Sequence, residues 1–209
     1  MATIATRALD LTVAVAVLLL ATPLLVLIVL AIRLDSRGSA MFRQERLGRR
    51  RRPFHVLKFR TMVRDADCAK HRDYVEQLIR GDERGHSDGR RELYKLAVDD
   101  RVTRAGRFLR KWSLDELPQL WNVVRGEMSL VGPRPVLAYE ADRYPPEWVP
   151  RFTVKPGLTG LWQVSGRNER TYAEMAQLDV EYARRRSIGL DLKILFRTVG
   201  VVLRRRGAA

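Results

Sequence analysis

Leu11 to Ile32 reads LTVAVAVLLLATPLLVLIVLAI, an apolar run of 22 residues with no charged side chain. As a straight helix it is about 33 Å long, enough for a hydrocarbon core of roughly 30 Å. Pro23 falls in its middle, directly after Thr22. Proline removes one helical hydrogen bond and crowds the preceding turn, so the pattern predicts a kink there. Two arrangements fit these residues equally. One is a kinked helix that spans the bilayer; the other is a re-entrant helix that enters and leaves by the same face. A cleaved signal peptide fits less well, because Arg7 and Asp10 cancel before the run and a strongly basic segment follows it.

Beyond the run the pattern changes. PFHVLKFRTM, residues 53–62, alternates as a strand and puts Lys58 and Arg60 on one face. Residues 64–98 are polar and mixed in charge, with a loop at DERGHSDGRRE, residues 82–92. VTRAGRFLRK, residues 102–111, has helical spacing, with Arg104, Arg107 and Arg110 or Lys111 on a basic face opposite Val102, Phe108 and Leu109. Residues 139–150 hold prolines at 145, 146 and 150 and read as irregular. KPGLTGLWQVSGR, residues 155–167, reads as turns and a short strand in which glycine permits close backbone approach. Residues 172–186 form a helix with Tyr172, Met175, Leu178 and Tyr182 on a core stripe. From Gly189 to Leu203 a last apolar helix carries Lys193 and Arg197 four apart. It fits a helix lying in the membrane interface and a helix packed on a core equally.

Charge sharpens this picture. The chain of 209 residues carries 39 basic and 24 acidic side chains, a net +15, which calls for an anionic partner. Ten of the basic residues and only two acids lie between Arg33 and Arg60. Beside an apolar run, such a segment faces anionic lipid head groups; a nucleic-acid patch would have no need of the anchor. Cys68 is the single cysteine, which excludes an intrachain disulfide, and the three scattered histidines leave no Cys/His zinc box.

The candidate chemistry lies in RKWSLDELPQLWNVVRGEMSLVGPRP, residues 110–135. Asp115 and Glu116 are adjacent carboxylates with cations on both flanks. Ser113 with Glu116 three residues on is a capping box, while Pro118 suits the first turn of a helix beginning near Leu117. Either way the acids stand at a helix N-terminus, where free amides and the dipole favour carboxylate and phosphate. Mg²⁺ commonly takes one or two carboxylates plus phosphate oxygens. With the phosphate neutralised by such an ion and by Arg110, Arg134, Lys58 or Arg60, a carboxylate can attack phosphorus and form an acyl phosphate. A surface ion-pair network is the plain alternative for these two acids.

Taken together, the apolar run with its central proline, KFRTM (58–62), RVTRAGRFLRKWSLDELPQLWNV (101–123), GEMSLVGPRP (126–135) and KPGLTGLWQVSGR (155–167) resemble the bacterial sugar transferases that act as monotopic polyprenyl-phosphate glycosyl-1-phosphate transferases. The segments occur in the family's order and cover most of the chain except residues 64–98. The resemblance implies an α/β, helix-rich fold with a small sheet. Residues 1–36 would be a re-entrant membrane helix broken at Thr22-Pro23. Residues 37–209 would be a cytoplasmic catalytic domain with interfacial amphipathic helices, on the inner face of a bacterial cell membrane. It implies a ping-pong transfer: Asp115 attacks the β-phosphate of a UDP-sugar, UMP leaves, and polyprenyl phosphate, usually undecaprenyl phosphate, accepts the phosphosugar. Such transfers begin exopolysaccharide, capsule, O-antigen or glycoprotein glycan assembly. Glu116 would hold Mg²⁺, Arg110 would bind phosphate, and Arg134 would contact phosphate or nucleotide. The expected partners are the nucleotide sugar, the polyprenyl phosphate, membrane lipid and a homodimer mate, not nucleic acid. The chain departs from the family in having threonine before Pro23 where serine is frequent, in lacking a proline between Asp100 and Arg101, and in Trp112, where a small or polar residue is frequent. Without the additional N-terminal membrane helices of larger members, the expectation is a minimal catalytic core.

Overall fold

A computed structural model describes residues 4–63, 75–76, 79, 101–166 and 170–203. The loop expected at 82–92, and most of segment 64–98, lie outside the described residues. Helix α1 (Ile4–Asp35) runs for 32 residues through Pro23. Beside the turn that loses the proline N–H, the Thr22 hydroxyl donates to Leu18 O at 2.9 Å, a back-bond that tends to bend helices.

Both ends of α1 dock on the rest of the chain. Near its start Thr6, Asp10 and Ala14 are buried; near its end Ile28 and Ile32 are. Arg7 donates to Val123 O at 2.6 Å and Val124 O at 2.8 Å. The Asp10 carboxylate accepts from Ser129 Oγ at 2.8 Å and Leu130 N at 2.9 Å. At the far end Asp35 accepts from Ala105 N at 2.9 Å. Arg7 and Asp10, a cancelling pair in the sequence, are therefore docking groups. Between the docked ends, Leu19, Leu20, Val26 and Leu27 are exposed.

The basic segment after α1 folds into a hairpin. Strand β1 (Met41–Leu47) pairs antiparallel with β2 (Pro53–Phe59), Met41 opposite Phe59 and Leu47 opposite Pro53. The strand expected over 53–62 ends at Phe59. Its partner was hidden because MFRQERL carries charge on an exposed ribbon and lacks a clean apolar alternation.

Helices α2 (Arg104–Lys111) and α3 (Gln119–Arg125) lead to β3 (Ser129–Val131). A single turn, α4 (Ala138–Ala141), and a 3-10 segment, Pro146–Thr153, precede β4 (Gly157–Thr159). Strands β3 and β4 pair in parallel, Ser129 opposite Gly157 and Val131 opposite Thr159. A Cβ on Gly157 would lie 2.0 Å from Gly132 N, so the GPRP and KPG segments meet backbone to backbone, which only glycine allows. Helices α5 (Tyr172–Arg185) and α6 (Ile188–Leu203) close the domain. The main core joins Ala14 of α1, Leu120 and Val123 of α3, Leu130 of β3, Tyr182 of α5 and Ile194 of α6.

Two stripes differ from expectation. Phe108 is exposed, and Gly106 and Leu109 form the buried face of α2. In α5, Asp179 is buried and Leu178 only half-buried, because Arg151 lies inside the domain and draws the carboxylate in.

Candidate active site

Asp115 and Glu116 occupy a 3-10 turn, Leu114–Glu116, that runs into α3. The expected capping box does not form. Ser113 adopts a left-handed conformation, φ 54°, and its side chain caps nothing. The helix starts at Gln119, with Pro118 as N-cap rather than first-turn residue. The Glu116 carboxylate is drawn elsewhere: Lys58 Nζ of β2 lies 2.8 Å from its Oε1.

Arg110 reaches the same region from the last turn of α2, where its Nε donates to Thr61 Oγ1 at 2.9 Å. Two features place that helix. Thr103 caps it by accepting from Gly106 N at 3.0 Å. Gly106 lies so close to Thr61 that a Cβ would stand 2.1 Å from the Thr61 carbonyl oxygen. Asn122, fully buried in α3, fixes β2 from the other side. Its Oδ1 accepts from Leu57 N at 3.0 Å, and its Nδ2 donates to His55 O and Glu127 Oε2, each at 2.7 Å. Lys58 thus follows a strand residue pinned to the helix that the acidic turn begins.

Burial raises the Asp115 carboxyl above the ordinary aspartate range, and the Glu116 charge adds to this; Lys58 and Arg110 pull against both. The result is an acid whose ionisation depends on two named cations. Mg²⁺ asks for oxygen ligands and commonly uses one or two carboxylates, with phosphate and water completing its shell. Asp115 and Glu116 supply that minimum. Among the described residues no group of three Asp, Glu, His or Cys gathers for a metal. Two adjacent carboxylates fit an ion whose remaining ligands come from a phosphate substrate and water.

Arg60 donates to Ser36 O at 2.8 Å and also to Arg37 O, so it holds the chain leaving α1, beside a groove of about 320 Å³ lined with Gly38, Ser39 and Met41. Arg134 follows β3, next to a buried ion pair. Arg151 Nη2 lies 2.5 Å from Asp179 Oδ2 and donates to Arg134 O at 2.9 Å. Burial pushes the Asp179 carboxyl up to about 6 against the pull of Arg151 and of the Arg134 N–H, which leaves it ionised at neutral pH.

Sequence reasoning missed Thr61, Gly106, Asn122 and the Arg151–Asp179 pair. Signals existed for two of them. Gly106 interrupts a helical pattern, a mark of close approach, and Asn122 stands alone among Leu120, Trp121, Val123 and Val124.

The fold and site define a class: a helix-rich domain with small sheets that carries one helix long and apolar enough to cross a membrane, and pairs two carboxylates with two cations in a manner suited to phosphate chemistry. The chain belongs to the bacterial sugar transferase family, whose model matches residues 1–205. It is 46% identical over 202 residues to a UDP-galactose-lipid carrier transferase of Erwinia amylovora, covering 97% of this chain and 41% of the relative. It is 41% identical to the exopolysaccharide production protein ExoY of Rhizobium meliloti, over 98% of this chain and 88% of the relative. To a UDP-glucose:undecaprenyl-phosphate glucose-1-phosphate transferase of Caulobacter vibrioides it is 43% identical, over 94% and 69%. The chain spans about two fifths of the length of the Erwinia relative.

Proposed function

We propose that the chain transfers a sugar-1-phosphate from a UDP-sugar to undecaprenyl phosphate or a similar polyprenyl phosphate at the cytoplasmic face of the bacterial inner membrane. The observation that carries this reading is the carboxylate pair Asp115–Glu116, held against Lys58 and Arg110 in a domain that also bears the apolar helix α1. The relatives' names, which include UDP-sugar and undecaprenyl-phosphate transferases, support the donor and the acceptor.

In the first half-reaction an Asp115 oxygen attacks the β-phosphorus. A P–O bond to the carboxylate forms while the bond to the oxygen bridging the two phosphates breaks, and its electron pair leaves with UMP. In the second, a phosphate oxygen of the polyprenyl phosphate attacks the same phosphorus and expels the carboxylate, giving a polyprenyl-diphosphate sugar. Lys58 holds Glu116 in place and lowers the cost of ionising Asp115; Arg110, oriented by Thr61, faces the charge that builds on phosphate. Mg²⁺ held by Glu116 and the diphosphate would neutralise the substrate.

The docking of α1 supports the re-entrant arrangement. A straight helix of this length extends about 48 Å, yet Arg7 and Asp10 at one end and Asp35 at the other all bond to residues within 105–130. A spanning helix would set those ends on opposite sides of the bilayer. The outer face of α6 mixes exposed Leu192 and Phe196 with exposed Lys193 and Arg197, which suits a helix in the interface.

The test is release of UMP from UDP-galactose and UDP-glucose without acceptor. One equivalent or less per enzyme is expected, with none from Asp115→Asn. Continuous release by the variant would overturn the nucleophile assignment.

A further inference from the structure

Arg7 and Lys155 meet at the end of α3 remote from the acidic turn, about 10 Å along the helix. Gly126 closes α3 at φ +80°, and a Cβ there would stand 3.4 Å from both Arg7 Nη2 and Lys155 Nζ. Partial burial and then Arg7 favour the neutral form of the Lys155 ammonium, Asp10 opposes them, and Arg49 of the hairpin turn and Arg186 after α5 add to the first two. Arg7, Arg186 and Asp10 have partners. Arg7 is bonded to Val123 and Val124 carbonyls. Arg186 reaches Ser129 Oγ at 3.4 Å and Asp191 Oδ2 at 3.8 Å. Asp10 is buried and accepts from Ser129 and Leu130. Among the described residues, Lys155 Nζ has neither a hydrogen bond nor an ion pair. A half-buried ammonium beside the Arg7 guanidinium and in the field of two more is unfavourable until an anion joins them.

The position of the cluster identifies the anion. The exposed apolar face of α1 opens at Val15, about 12 Å along the helix from Arg7. Arg186 lies two residues before α6, where Ile188, Leu192 and Phe196 are exposed. Two apolar faces thus begin beside one basic cluster. With those faces in hydrocarbon, the cluster falls near the head-group layer, which is roughly 5–8 Å deep on each side of the bilayer.

We propose that Lys155, Arg7, Arg49 and Arg186 form a seat for the phosphate of an anionic membrane lipid, separate from the Asp115–Glu116 site. The proposal rests on the membrane association proposed above and not on the chemistry at Asp115. Occupation of the seat would tie the start of α1, the hairpin and the start of α6 to the membrane surface at a single point.

The experiment uses the full chain in neutral detergent micelles, titrated separately with dioleoylphosphatidylglycerol, dioleoylphosphatidylcholine and inorganic phosphate. Retained ligand is read by native mass spectrometry and the melting temperature is followed in parallel. Phosphatidylglycerol is expected to be retained and to raise the melting temperature, with phosphatidylcholine and free phosphate weaker. Lys155→Gln should weaken phosphatidylglycerol about five-fold, the contribution of one cation near a charged lipid surface. Lys155→Arg should restore binding, and Arg49→Gln, in the half-buried start of the hairpin turn, serves if Lys155→Gln does not fold. Equal retention of phosphatidylglycerol by wild type and both glutamine variants would overturn the seat. So would tighter retention of inorganic phosphate than of the lipid. UMP release, measured on the same samples, should be unchanged in Lys155→Gln; its absence from wild type would sink the catalytic reading while leaving the lipid result to be judged alone.

Discussion

Lys58 on β2 and Glu116 in the turn before α3 meet at 2.8 Å, Nζ to Oε1. Their side chains are 29% and 34% exposed, so the pair adds little stability as a surface salt bridge. Its effect is on position and charge: it fixes Glu116, and it sets a cation where Asp115 must ionise.

Lys58→Met removes that cation, so the Asp115 carboxyl rises further. Asp115 reacts only when ionised, and the acid limb of the UMP burst against pH should move to higher pH. Glu116→Gln removes a charge that raises Asp115, and should move the same limb to lower pH. At neutral pH the Lys58→Met burst rate should fall roughly 100-fold, as for loss of one preorganised charge donor. Stopped-flow UMP release across pH checks both directions; parallel shifts in the two variants would contradict the assignment.

Gly106→Ala should slow the reaction without touching a substrate group. The new methyl would collide with the Thr61 carbonyl, and α2 must move, carrying Arg110 away from Thr61. A stability loss of about 1–3 kcal/mol is expected from overpacking. The informative comparison is with Arg110→Gln. If Arg110 works through its placement by Thr61, the two variants lose burst rate similarly and Gly106→Ala adds little to Arg110→Gln.

Asn122→Ala strands the Leu57 N–H and the His55 carbonyl. The Leu57 N–H is buried, and an unsatisfied buried group costs about 1–3 kcal/mol. Hydrogen exchange at Leu57 should accelerate by at least about ten-fold, and the Lys58 burst defect should appear in partial form. Unchanged exchange at Leu57 would show that Asn122 does not pin β2.

Cysteines placed singly at Ala5 and Ser36, in a chain with Cys68 replaced, should both react with a membrane-impermeant thiol reagent from the cytoplasmic side only. Both positions adjoin docked ends of α1. Labelling from opposite sides would sink the re-entrant arrangement.

What was legible in the sequence followed from strong local patterns. The apolar run gave α1, the spacing of arginines gave α2, and the stripe of Tyr172, Met175 and Tyr182 gave α5. The acidic pair was found because adjacent carboxylates among cations are conspicuous. The rest depended on contacts between distant segments. Nothing local distinguishes Lys58, which meets Glu116, from Arg60, which binds the carbonyls of Ser36 and Arg37. The capping box at Ser113 was sound as a pattern and lost to a left-handed turn and to the pull of Lys58 on Glu116. β1 was obscured by its charges. Arg151 and Asp179 carry no local signal, because burial of such a pair is visible only when both partners are in place.

The central claim is that Asp115 carries the phosphosugar. The direct measurement is to mix the chain with a UDP-sugar labelled at the β-phosphorus, without acceptor, quench it, and map the label by peptide mass spectrometry. One phosphosugar is expected on the peptide containing Asp115, discharged by added polyprenyl phosphate and absent from Asp115→Asn. Label on another residue, or full turnover with no trapped adduct, would contradict it.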